Sequence, residues 1–221
     1  MAIVDAHYNF MYVHIGTQGR ISDGGVLQGC SLKRMMDEKS LNLPEHVSLQ
    51  NRNRLLPFYF LGDAAFPLGE NLMKPYAGTH PKRSKERVFN HRLSRSRRVV
   101  ENAFGILASV FRVLRKPMLL QPEKVETIVM TLVLLHNFLR RSSSCSVYTP
   151  QGSYDNENTE TGEVIPGAWR SEAEGTSFRP LYAIARRSAA NFKENREGLA
   201  NYFMNEGGNG GNRKQENTSH K

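Results

Sequence analysis

Leu55 to Phe66, LLPFYFLGDAAF, sets a run of apolar and aromatic residues directly against an acid, Asp63. Arg97 to Gly105, RRVVENAFG, then puts a second acid, Glu101, inside a helical pattern. The first run suits a strand covered on both faces, and Pro57 limits it to an outer register or a late start, since proline brings no N–H to a ladder. From Ser94 to Leu114, residues Val100, Ala103, Phe104, Leu107, Phe111 and Leu114 recur at helical spacing, so Glu101 sits beside a buried stripe. An acid after a strand and an acid on a helix predict an α/β fold, and two carboxylates from separate elements can hold a hard divalent cation.

Each acid also has a local explanation. Asp63, followed by Ala64, Ala65 and Pro67, suits a turn or a helix cap. Arg97 lies one turn before Glu101, which suits an i,i+4 ion pair. Gly105 and Ala108, further along the same helix, leave room for a close approach.

Between the two acids, the stretch Lys82 to Arg98 sets Lys82, Arg83, Lys85, Arg87, Arg92, Arg95, Arg97 and Arg98 against the single acid Glu86. Such a run can be a solvated face, but it also suits contact with phosphates, whose bound counterions it would release. Tyr76, His80, Phe89 and His91 are interleaved with it, as stacking partners for bases or as packing residues. The whole chain of 221 residues carries a formal net charge of +9, which favours acidic partners, DNA before anionic membrane.

Outward from this centre, Met1 to Ile15 reads as a hairpin turning at Ala6 to Asn9, with Phe10 and Tyr12 on one face and His14 next in the alternation. Gly16 to Gly25 reads as a loop and Leu27 to Leu41 as one short helix. A longer helix should start at Pro122 and run to about Arg141; it is apolar nearly all round and is expected to be sandwiched in the core, with His136 a satisfied core histidine. Ser142 to Ser177 is polar and turn-rich and should wrap the surface, anchored by Trp169. A last amphipathic helix is expected over Leu181 to Met204, followed by a disordered tail at 205–221. Thus 1–141 reads as the core and 142–204 as a wrapping segment and helix. The two cysteines, Cys30 and Cys145, are far apart and read as free thiols in a reducing compartment. The most apolar window, Val125 to Leu139, is too short to span a membrane, and the N-terminus has no signal-peptide pattern.

Five stretches taken together, VDAHYNFMYVHIGTQGRISDGGV, LGDAAFPLGENLMKPY, FNHRLSRSRRVVENAFGILASVFRVL, VMTLVLLHNFLRR and GEVIPGAWR, resemble the PIF/Harbinger transposase-derived nucleases of the DDE superfamily. The resemblance covers roughly Ala2 to Phe203. It implies a ribonuclease H-like mixed central sheet flanked by helices, an Asp, Asp, Glu triad with divalent cations (Mg2+ or Mn2+), and cleavage of phosphodiester bonds in DNA. Asp63 matches the second acid and Glu101 the third, so both become expected catalytic residues and metal ligands. The first acid belongs to a strand before the segment matched by Met1 to Ile15, and the chain reads as starting after it. Asp5 and Asp23 match other recurrent acids of the family. The expectations are therefore a DNA endonuclease domain of impaired activity, or a non-catalytic DNA-binding or interaction remnant. Either would act in the nucleus on DNA, with a DNA-binding partner protein conceivable and no membrane role.

Overall fold

The computed structural model describes residues 1–17, 21, 23–49, 55–158, 163–171 and 189–205, with the side chain of Asp23 outside that description. The chain is mixed α/β. It divides into two compact units, one formed by Met1–Leu43 with Arg95–Ala185 and the other by Pro44–Ser94 with Arg186–Lys221. The described strands pair two by two into four small sheets.

In the first unit, β1 (Ala2–Val4) and β2 (Phe10–Val13) form the expected antiparallel hairpin, with Ile3 opposite Tyr12 and a register shift between Ile3 and Val4. Its turn is made by Asp5, whose Oδ1 accepts the N–H groups of His7 and Asn9, each at 2.8 Å, while Tyr8 takes a left-handed φ of 66°. This recurrent acid therefore has a structural task, and those bonds outweigh the rise that burial causes and hold its carboxyl below the ordinary range. The single helix expected over Leu27 to Leu41 is two, α1 (Asp23–Gly29) and α2 (Ser31–Asp37), broken at Cys30, whose backbone is extended. The Tyr12 hydroxyl closes the break. It lies 2.9 Å from Ser31 Oγ and accepts the N–H of Leu32 at 3.3 Å, one of the first-turn donors that a helix cannot satisfy itself.

The core of this unit gathers Phe10, Ala103, Leu107, Ala108, Leu114 and Val133. Helix α3 (Lys85–Val110) supplies the alanines and Leu107, and a short 3-10 turn over Arg112–Arg115 follows it. Helix α4 (Pro122–Arg141) begins at the expected proline. It is not sandwiched: Leu134, Leu135 and Phe138 are 60%, 42% and 69% exposed, and only the side through Val133 and His136 is fully covered. Apolar character all round told of no partner on the second side. After α4 come α5 (Cys145–Tyr148), the antiparallel pair β7 (Asn156–Glu157) and β8 (Val164–Ile165), and α6 (Ala168–Ser171).

In the second unit, the strand expected over Leu55 to Leu61 is interrupted at Pro57. Leu55–Leu56 (β4) pairs antiparallel with Val47–Ser48 (β3), and Phe60–Leu61 (β5) pairs parallel with Leu72–Met73 (β6). The missing N–H of proline allows the chain to leave one ladder and join another. Leu68, Met73, Phe89, Leu93 and Ala200 form the core here, joined by Phe192, Leu199 and Phe203 of α7 (Ala190–Asn205). Residues 181–188 of the expected last helix, and the tail from 206, lie outside the described residues. Phe89 and Leu93, one turn apart, also explain why α3 starts at Lys85 rather than near Ser94: its first turns have an apolar side to bury. No described helix is long and apolar enough to cross a membrane.

Candidate functional site

Asp63 follows β5 after Gly62, whose N–H extends the parallel ladder to Met73 O at 2.8 Å. The carboxylate is half-buried, and its Oδ1 accepts the N–H of Ala65 at 2.8 Å, an Asx turn that swings the chain off the strand end. A side chain at Gly62 would meet the Phe66 side chain at 3.0 Å, so the ring would have to yield slightly to admit one. The turn explanation of Asp63 is thus realised. It does not by itself exclude ligation, since a carboxylate has further lone pairs.

Glu101 projects from α3 in the first unit, with its side chain 47% exposed. A cation beside it is Arg170 of α6, 3.5 Å away. Arg170 is in turn fixed by Asp155, a fully buried carboxylate: its Nε donates to Asp155 Oδ1 at 2.8 Å and Oδ2 at 2.9 Å, its Nη2 donates to Oδ2 at 2.5 Å, and the N–H of Gly167 adds a third donor at 2.8 Å. Burial alone would raise the Asp155 pKa, but these donors outweigh it and hold the carboxyl below its ordinary range. Asn102, next to Glu101 and 2% exposed, fastens the same segment, because its Oδ1 accepts both the Asp155 N–H at 3.0 Å and the Trp169 Nε1–H at 2.8 Å. Trp169 is the expected anchor. Its indole lies where a side chain at Gly105 would be, with Cδ2 only 2.2 Å from such a Cβ.

The basic stretch is not uniformly available. Lys82, Arg83 and Arg87 are exposed, and Arg97 is half-buried. Lys85 is paired with Glu197 of α7, whose other oxygen accepts the Tyr76 hydroxyl at 3.0 Å. Burial first, and this acceptor second, push the Tyr76 phenol up to about 12. Arg92 stacks over Phe203 at 4.8 Å. Arg95 and Arg98 both reach one oxygen of Glu157. Of the interleaved rings, Phe89 is buried in the core and Tyr76 carries the Arg196 guanidinium 3.9 Å above it, so packing explains both; His91 is exposed.

A hard divalent cation needs about six oxygen ligands, several of them from protein. Asp63 and Glu101 belong to different units, and among the described residues no group of three or more His, Cys, Asp or Glu side chains gathers to hold a metal. The guanidinium of Arg170 already supplies positive charge at Glu101. The described residues therefore do not fit a complete metal-ion site.

The family model for a DDE superfamily endonuclease matches residues 1–137. This chain belongs to the DDE superfamily endonucleases. The match takes in Asp63, Glu101 and the whole basic stretch, and the resemblance read from the motifs stands. The matched residues end before GEVIPGAWR. The chain is also similar to the protein ALP1-like of Arabidopsis thaliana, 29% identical over 140 residues, 62% of this chain and 34% of that protein. It thus spans about a third of the length of that curated relative. No solved structure matches.

The acids that hold this endonuclease-family chain's arginines were not legible as partners in the sequence. Asp155 and Glu157 stand in a polar tract, and Glu197 in a helix of mixed charge; only their alternation with uncharged residues, absent from a plain acidic tail, set them apart.

Proposed function

We propose that this chain is a transposase-derived endonuclease domain that engages DNA through its basic stretch, with Asp63 and Glu101 in the places of the family's second and third acids. Its own phosphodiester cleavage is impaired. The observation that carries this reading is the family match over 1–137, which includes both acids and all eight basic residues of the stretch Lys82 to Arg98. The β1–β2 hairpin, the parallel β5–β6 pair and the long helices α3 and α4 are compatible with pieces of a ribonuclease H-like fold. Dependence on Mg2+ or Mn2+ is the family's expectation. DNA as the partner makes the nucleus the expected compartment.

A second reading, a DNA-binding remnant with no cleavage at all, is favoured by the Arg170–Glu101 contact, which gives Glu101 a structural partner. Nicking of supercoiled plasmid by the 221-residue chain in Mn2+ or Mg2+ separates the two. Slow nicking that disappears in both Asp63→Asn and Glu101→Gln supports the impaired nuclease. No nicking, with salt-sensitive binding retained, selects the remnant; equal cleavage by both variants removes the assigned acids from the chemistry.

A further inference from the structure

Glu157 occupies a position with an unusual charge balance. Its side chain is 8% exposed, yet its Oε2 receives two guanidinium groups, that of Arg98 and that of Arg95, whose Nε lies 3.5 Å away. A carboxylate this buried costs several kcal/mol in lost hydration unless cations face it, so the pair of arginines is what keeps it charged there. The relation also works in reverse. Arg98 is 17% exposed and Arg95 53% exposed, so Arg95 in particular remains within reach of solvent while its charge is largely answered from inside the chain.

Two guanidinium groups converging on one oxygen also form the arrangement that recognises a phosphodiester, by charge-assisted bonds to anionic oxygen. We propose that Glu157 is an internal competitor for a phosphate-binding site made by Arg95 and Arg98, so that the affinity of the chain for nucleic acid is held down by its own carboxylate. This rests on the DNA-binding reading above and adds its regulation. Glu157 reaches the site from β7, whose partner strand β8 leads within a few residues to Trp169 and Arg170. Trp169 is fastened to Asn102, one turn beyond Arg98 on α3, and Arg170 to Asp155, two residues before Glu157. The carboxylate is therefore delivered by a fixed scaffold rather than by a wandering side chain. Glu157 lies outside the residues that match the family model.

Each further phosphate neutralised on duplex DNA adds about 0.9 to the slope of log affinity against log salt, which at 0.1 M salt is about an eightfold gain. The test measures duplex DNA affinity across a salt series for the whole chain, for Glu157→Gln, which keeps the shape, and for Glu123→Gln, which removes the same charge from the exposed first turn of α4. Glu157→Gln is expected to bind about five- to tenfold more tightly at 0.1 M salt and with a slope steeper by about 0.9, and Glu123→Gln less than twofold more tightly. Equal effects of the two changes, or no gain in Glu157→Gln while the native chain still binds in a salt-dependent way, overturn the competitor and leave the DNA-binding reading standing. Absence of binding by every form overturns both. If Glu157→Gln does not fold, Arg95→Ala and Arg87→Ala answer the same question: Arg95→Ala should lose at least threefold less affinity than Arg87→Ala, and equal losses contradict the proposal.

Discussion

The side-chain amide of Asn137 engages both main-chain polar groups of Phe10: its Oδ1 accepts the Phe10 N–H at 2.8 Å and its Nδ2 donates to the Phe10 carbonyl at 2.8 Å. An asparagine on α4 thereby stands in for a neighbouring strand along the outer side of β2 and ties helix to hairpin. Asn137→Ala removes both bonds and is expected to destabilise the chain by about 2–4 kcal/mol. Asn137→Asp keeps the acceptor and should cost less. Urea denaturation measures both, and a loss under about 0.5 kcal/mol for the alanine would contradict the role.

The chain's single tryptophan makes the Gly105 contact visible. Gly105→Ala puts a methyl group 2.2 Å from the Trp169 ring and must displace it, at a cost of about 1–3 kcal/mol. The indole emission should move to longer wavelength as the ring meets water. An unchanged spectrum would mean that the ring does not rest there.

His136 is fully buried between two partners. The carbonyl of Tyr8, 2.8 Å from Nε2, can only accept, so Nε2 carries the proton and Nδ1 accepts from the Tyr148 hydroxyl at 2.7 Å. Burial lowers its pKa below the ordinary 6.5, against a smaller opposing effect of the Tyr8 carbonyl. Between the folded and unfolded values the unfolded chain holds more protons, so stability is complete above about pH 6.5 and is lost as pH falls through that value toward the folded pKa. Thermal unfolding from pH 7.5 to 5 should show this loss, and His136→Gln should flatten it from a lower starting stability.

The turn role of Asp63 and its proposed catalytic one can be tested separately. Asp63→Ala removes the Oδ1 that accepts the Ala65 N–H and should cost about 1 kcal/mol, whereas Asp63→Asn retains an oxygen there and should cost little. Any loss of plasmid nicking in Asp63→Asn then reports charge rather than the turn. Equal destabilisation by both changes would show that the turn needs the charge.

The hairpin was legible because alternation and a polar turn are local signals, and so was the start of α4, because Pro122 and the apolar spacing that follows agree. The start of α3 was hidden by the arginines around Phe89 and Leu93, whose burial depends on α7, far along the chain. The strand at Leu55 to Leu61 carried its own warning in Pro57, but the change of partner strand at that point is a tertiary event. Asp63 and Glu101 stood out through their motifs, and both fall within the residues that match the family model. What holds Glu101 was not legible, since Arg170 and Asp155 come from a polar segment with no periodicity, and pairing between distant charges leaves no local trace.

The central claim is that exposed basic residues of the stretch Lys82 to Arg98 grip the phosphate backbone. It is tested most directly by the salt dependence of duplex DNA affinity for the native chain and for the triple variant Lys82→Ala, Arg83→Ala, Arg87→Ala. The expected result is weaker binding with a log–log slope shallower by about 2–3, one phosphate for each cation removed. An unchanged slope, or binding insensitive to salt in the native chain, would contradict the account.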